Sequence, residues 1–192
     1  MFNWLAFLTY AFITAATPGP NNIMSMSNGG RLGFMGALPF NFGIWAGFSA
    51  VMLLCTAFCT TLTNLIPAVK TPMLIAGAVY MLHLAWGTFR SSGVIDEDHS
   101  RSGFYAGMLL QFINPKIYIY GIMSMQAYIL PFYAGEPLTL ALFALLLAFI
   151  GFAFTLCWSA FGSAFRLIFS RHTKAVNTIM ALLLVYCAAS LF

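Results

Sequence analysis

The sequence predicts an all-α membrane protein of about six transmembrane helices, and three observations carry that prediction. Only 6% of the 192 residues are charged while 61% are hydrophobic. The apolar residues run in long continuous stretches, and the basic residues fall mostly in alternate gaps between them. A soluble domain carries roughly 25% charged residues because water must solvate its surface. This chain cannot build such a surface, so its solvent is lipid.

The stretches are 4–28, 34–62, 72–90, 103–131, 138–165 and 175–192. Each is long enough for a bilayer core about 30 Å thick, which takes ~20 apolar residues as a helix. None shows the polar alternation of a membrane β-strand, so helices are expected throughout. Polar breaks separate them at Asn28 to Arg31, Thr63 to Lys70, Ser91 to Ser102, Phe132 to Pro137 and Arg166 to Lys174. The opening Met1-Phe2-Asn3-Trp4 lacks the basic region of a signal peptide, so the first stretch is expected to be a retained span. No long polar region accompanies the spans. Residues 1–192 therefore read as one polytopic membrane domain with no enzyme activity.

Orientation follows from the gaps. Gaps one, three and five hold Arg31, Arg90, Arg101, Arg166, Arg171 and Lys174, whereas gaps two and four hold only Lys70. The positive-inside rule puts the basic gaps in the cytoplasm and both termini outside, in a cell inner membrane. The net charge of +4 is explained by the same pattern, and no nucleic-acid partner is expected.

The first and fourth spans are interrupted at corresponding places, roughly 96 residues apart, by Thr17-Pro18-Gly19-Pro20-Asn21-Asn22 and by Gln111-Phe112-Ile113-Asn114-Pro115-Lys116. Two successive three-helix units must have opposite orientation because three is odd. The chain thus reads as two inverted three-helix repeats, approximately 1–96 and 97–192. Matching proline-interrupted spans are a pointer to a transport site near the midplane.

Each proline lacks an N–H and clashes with the preceding turn, and Gly19 adds backbone freedom. In lipid the freed carbonyls need partners from protein or from a wet cavity. The helix restarting after Pro20 offers N–H groups and a positive dipole end to a carboxylate, with Asn21 and Asn22 adding polar side chains. A plain proline kink is the alternative. Lys116 lies deep in its span, where an unpaired ammonium costs at least ~3 kcal/mol on insertion scales. No Asp or Glu lies in any span, so its partner is a backbone carbonyl, an Asn side chain or an anionic substrate group.

Asn41, Trp45 and Ser49 share a helix face and, with Gln111, are candidates to line the path; interhelical hydrogen bonding explains them equally well. Gly43 and Gly47, and Gly103 and Gly107, are small-xxx-small pairs suited to close helix packing. His83 is a candidate proton relay, since its free pKa lies near neutrality. Cys55, Cys59, Cys157 and Cys187 all lie in apolar stretches, where a thiol behaves as a small hydrophobe. No disulfide, metal or cofactor is expected.

The motifs Thr17-Pro18-Gly19-Pro20-Asn21-Asn22, Gly77-Ala78-Val79-Tyr80-Met81 and Asn114-Pro115-Lys116 resemble those of the lysine exporter (LysE/RhtB) superfamily over essentially the whole length. Ile13-Thr14-Ala15-Ala16-Thr17 and Ala181-Leu182-Leu183-Leu184-Val185-Tyr186-Cys187 are similar to the branch that exports cysteine and O-acetylserine. The resemblance implies efflux of a small neutral amino acid by two inverted three-helix repeats. Alternating access is the mechanism expected, with Pro18, Gly19, Pro20, Asn21, Asn22, Asn41, Gln111, Asn114, Pro115 and Lys116 as the candidate substrate-binding or translocation residues. The lack of acids in the spans fits a net-neutral substrate better than a dibasic one. Some superfamily members carry Asp where this chain has Asn21. Partners are the amino acid and the bilayer, and a homo-oligomer is compatible with the sequence. The competing readings are a membrane thiol/disulfide electron carrier and a soft-metal exporter. A thiol relay needs reactive cysteines beside the breaks, and none of the four is expected near Pro18 or Pro115.

Overall fold

The computed structural model describes residues 2–57, 75, 78–90, 103–165 and 171–189. Cys59, Gly77, Arg101, Arg166, the second and third predicted gaps and most of the fifth lie outside them. Every regular element among the described residues is helical.

Helix α1 spans Trp4–Ala16; the Asn3 side chain caps it by accepting from the Ala6 N–H at 3.0 Å. Thr17 turns extended ahead of Pro18, as the proline ring demands. Helix α2, Pro20–Ala57, is two arms, 20–32 and 34–57, because Gly33 adopts φ 76° and ψ 170°. That backbone is open to glycine and strained for any L side chain, so Gly33 alone makes the hairpin between the first two stretches. Helix α3 covers 78–90. Helix α4, Phe104–Ile113, and helix α5, Pro115–Ser124, are separated only by Asn114. A π-helical stretch, Met125–Ile129, carries the chain into the short helix α6, Leu130–Tyr133. Helix α7 is Pro137–Ala164 and helix α8 is Thr173–Ala189.

Within the described residues the helices fall in the predicted stretches, except that helix continues to Tyr133 and that one predicted gap is corrected. Asn28 to Arg31 is helical rather than a gap, since the residues that look like loop formers are a packing face. Ser27, Asn28, Gly29 and Gly30 are buried. A Cβ on Gly29 would strike the Ser159 carbonyl, and one on Gly162 would strike the Met26 carbonyl. The arm 20–32 and α7 therefore touch backbone to backbone. The predicted glycine packing recurs on the other side: a Cβ on Gly43, Gly47 or Gly107 would collide with backbone of Phe104, Met108 or Phe40. Gly103 instead caps α4.

α2 and α7 are each apolar and long enough to cross a bilayer, with mean hydropathy 1.6 and 2.6. The arm 34–57 alone rises about 36 Å at 1.5 Å per residue. The outer surface carries Leu5, Phe12, Leu82, Leu142, Phe149 and Leu182, all exposed. So large a set of exposed apolar side chains suits hydrocarbon, not water. Phe2, Trp4, Phe132, Tyr133 and Phe143 gather at one end, with ring centroids 4.8–5.7 Å apart. That end has the make-up of an interfacial aromatic belt.

Candidate functional site

The first break removes the helical partners of five successive carbonyls, Thr14 to Pro18, because residues 18–22 no longer reach back along the helix. In an apolar setting each orphan costs about 1–3 kcal/mol, so each needs a donor. The Thr17 hydroxyl donates to the Thr14 carbonyl at 2.7 Å. The Asn22 amide donates to the carbonyls of Ala15 (2.8 Å) and Thr17 (2.9 Å). The Trp158 indole N–H of α7 reaches the Ala16 carbonyl at 3.3 Å, and the Cys187 thiol of α8 lies 4.0 Å from the Pro18 carbonyl. Side chains from three other helices, α5 included through Lys116, hold this break in shape.

The second break is simpler. Only Asn114 leaves helical geometry, and its side chain caps α5 by accepting from the Lys116 N–H at 3.2 Å. Pro115 occupies the first turn of the new helix, where its missing N–H removes no bond.

The two breaks are cross-linked in a reciprocal way. Asn21, second residue of α2, donates to Gln111 at 2.8 Å; its oxygen accepts from Gln111 at 3.1 Å and from Asn114 at 3.2 Å. Lys116, second residue of α5, donates its ammonium to the carbonyl and hydroxyl of Thr17, each at 2.9 Å. Each restarting helix thus sends its second residue into the other break. Gly19 makes room for this, since a Cβ there would press on the Lys116 side chain at 3.1 Å. Of the two partners the sequence allows within the protein, the lysine takes the carbonyl.

A cavity of about 40 Å³ lies at this crossing, lined by Gly19, Asn21, Asn22, Asn114, Lys116 and Thr155 among others. A second, of about 250 Å³, is lined by Thr17, Pro18, Met81, Lys116, Ile119 and Cys187. Both include Lys116, Thr14, Gly19, Pro20 and Tyr120 in their walls, so the lysine side chain stands between them. The smaller one holds a water or two and no amino acid.

Pro18, Gly19, Pro20, Asn21, Asn22, Gln111, Asn114, Pro115 and Lys116 therefore converge. Asn41 does not join them. It is fully buried in a separate network, accepting from the Ser25 hydroxyl and donating to the Ser159 hydroxyl, each at 2.7 Å, with Ser159 donating to the Ser25 carbonyl. Nor do Asn41 and Trp45 form one lining face: Trp45 points outward and stacks on Phe152. His83 is exposed and lines a third cavity, away from Lys116. The expectation about the cysteines is corrected: Cys187 lies against Pro18, since α8 packs beside the first break. Cys55 is buried among other residues and Cys157 is exposed. Among the described residues no three of His, Cys, Asp or Glu come together. Sequence reasoning missed Trp158, Ser25 and Ser159. For Trp158 a signal existed, because an indole N–H inside an apolar span must find an acceptor.

Chemically, the crossing offers an ammonium, the first N–H groups of α2, which have no intrahelical partner, and a ring of side-chain amides. That set is suited to a carboxylate. The carbonyls of Thr14, Ala15, Ala16 and Pro18, each with a second lone pair, are suited to an ammonium, whereas that of Thr17 already accepts from both Asn22 and Lys116.

Residues 12–192 match the LysE type translocator family. The chain is 37% identical over 188 residues to the cysteine/O-acetylserine efflux protein of Escherichia coli (strain K12), covering 97% of this chain and 96% of that one. The same figures hold for the protein of that name from Salmonella typhimurium (strain LT2). The Klebsiella pneumoniae counterpart is 39% identical over 184 residues, 95% of this chain and 93% of the other. No solved structure matches. With the family's domain and its relatives both running nearly end to end, the chain belongs to the LysE type translocator family.

Proposed function

We propose that this protein exports small neutral amino acids, cysteine and O-acetylserine, across the inner membrane by alternating access. Six spans form two inverted three-helix repeats, with both termini outside and the basic hairpins, such as that beside Arg31, in the cytoplasm. The observation that carries this reading is the reciprocal crossing of Asn21 and Lys116 between the two breaks. A pseudo-two-fold axis between the repeats relates two such residues in this way. The similarity to efflux proteins of that name supports the substrate.

In the mechanism, the substrate carboxylate displaces Thr17 from Lys116 and meets the start of α2. The substrate ammonium takes the free lone pairs of the first break's carbonyls. Asn22 keeps the break open by holding two of those carbonyls, and its oxygen remains an acceptor. Asn114 and Gln111 hold the second break against Asn21. Interhelical hydrogen bonds in membranes average about 0.6 kcal/mol each, so the crossing can be exchanged for substrate contacts without a large barrier.

Cys187 beside Pro18 gives the thiol-relay reading one observation of its own. A relay needs a second thiol within exchange distance, and Cys55 belongs to a different cluster. Counterflow in proteoliposomes distinguishes them. Labelled O-acetylserine should exchange faster against unlabelled O-acetylserine or cysteine and not against lysine, in wild-type protein and in a cysteine-free variant. Exchange with no amino acid by folded protein would overturn the carrier reading.

A further inference from the structure

A third cavity, of about 210 Å³, is lined by Met24, Phe40, Tyr80, His83, Leu84, Ala106 and Leu110. Two of its walls neighbour the Asn21–Gln111 pair along the chain: Met24 is three residues beyond Asn21 in the arm 20–32, and Leu110 directly precedes Gln111 in α4. Chain direction puts the walls from the arm 20–32, from α4 and from Phe40 toward the basic gaps, while α3 joins them at the level of Met81, which lines the cavity of about 250 Å³. The arm 20–32 runs on to Arg31, α3 runs on to Arg90, α4 starts after Arg101, and Phe40 follows the Gly33 turn closely. The cavity of about 250 Å³ starts from the same level of α3, at Met81, and extends the other way, with Ile119 beyond Pro115 in α5 and Cys187 near the far end of α8.

We propose that the 210 Å³ cavity is the cytoplasmic vestibule of the carrier. It is a first binding site for a small amino acid, taking its uncharged side chain, and the Asn21–Gln111 amide pair closes it toward the midplane. The proposal rests on the six-span export reading. Its walls carry no Asp, Glu, Lys or Arg; the polar groups are the Tyr80 hydroxyl and the His83 imidazole at the exposed rim. A thiol or acetyl ester loses little by entering such a pocket, whereas a lysine ammonium would find no counter-charge there. The volume is several times that of one water and suits a molecule of a few heavy atoms. An amide pair also suits a gate, because both groups accept water or substrate in exchange for each other and leave no bare charge when parted.

The test places a single thiol in the wall, Ala106→Cys, in a chain whose four native cysteines are replaced by serine or alanine. A membrane-impermeant maleimide is applied to inside-out and right-side-out vesicles. Labelling is expected only in inside-out vesicles, and at ten times Kd of O-acetylserine it should slow about tenfold, with lysine giving no protection. Labelling from the opposite face, labelling only by a permeant reagent, or labelling unaffected by O-acetylserine each overturns the vestibule. Leu110→Cys serves the same purpose where Ala106→Cys does not fold. Counterflow by the cysteine-free parent separates the two claims. Active counterflow with unprotected labelling removes the vestibule alone, whereas absent counterflow in folded parent protein removes the export reading beneath it.

Discussion

The two breaks are made from similar letters and solved by different physics. At Asn114-Pro115 one residue leaves the helix, and two nearby side chains, Asn114 and Tyr118, repair the damage locally. At Thr17-Pro18-Gly19-Pro20 five carbonyls lose partners, and α2, α5, α7 and α8 each contribute to their repair. The second break is self-sufficient, while the first keeps its shape only while its neighbours stay in place. A carrier that must open alternately gains from this asymmetry: the first break can change partners as α7 and α8 move, and the second presents Lys116 from a locally capped helix start.

Substitutions at the two breaks should therefore differ most in stability. Asn22→Leu keeps the volume and removes the donor for two buried carbonyls, so a loss of about 2–4 kcal/mol is expected, read as a lower unfolding midpoint in detergent. A loss as small as that of a surface change would break the comparison. Asn21→Ala severs the amide link, which should cost about 1–2 kcal/mol and reduce counterflow well beyond the change in stability. Asn114→Ala removes a local cap worth about 1 kcal/mol, and Asn114→Ser, which can still cap, should recover most of it. Cys187→Ala should do least, since a thiol 4.0 Å from a carbonyl is a weak donor. Thermal stability close to wild type and retained counterflow are expected there, and abolished transport would bring the thiol relay forward.

The letters made some of this legible and hid the rest for definite reasons. Both breaks could be found because Pro18-Gly19-Pro20 and Asn114-Pro115 crowd helix-breaking residues together, unlike the lone Pro39, which sits inside the arm 34–57, and Lys116 stood out because nothing in its span could neutralise it. The lysine's partner inside the protein was legible only as a class, a carbonyl or an amide. Asn28-Gly29-Gly30 misled because small and polar residues mark both loops and the closest helix contacts, and only Ser159 and Gly162 on α7 decide between them. Asn41 has the composition of a lining residue, yet its partners Ser25 and Ser159 lie 16 and 118 residues away, a pairing no local pattern encodes. Cys187 beside Pro18 is likewise set by how α8 docks.

The most direct test of the central claim, that the crossed breaks with Lys116 form the substrate site, is O-acetylserine counterflow by Lys116→Ala in liposomes verified to contain folded protein. No exchange above protein-free liposomes, with Thr17 and the first break otherwise intact, is the predicted result. Exchange at the wild-type rate would contradict it.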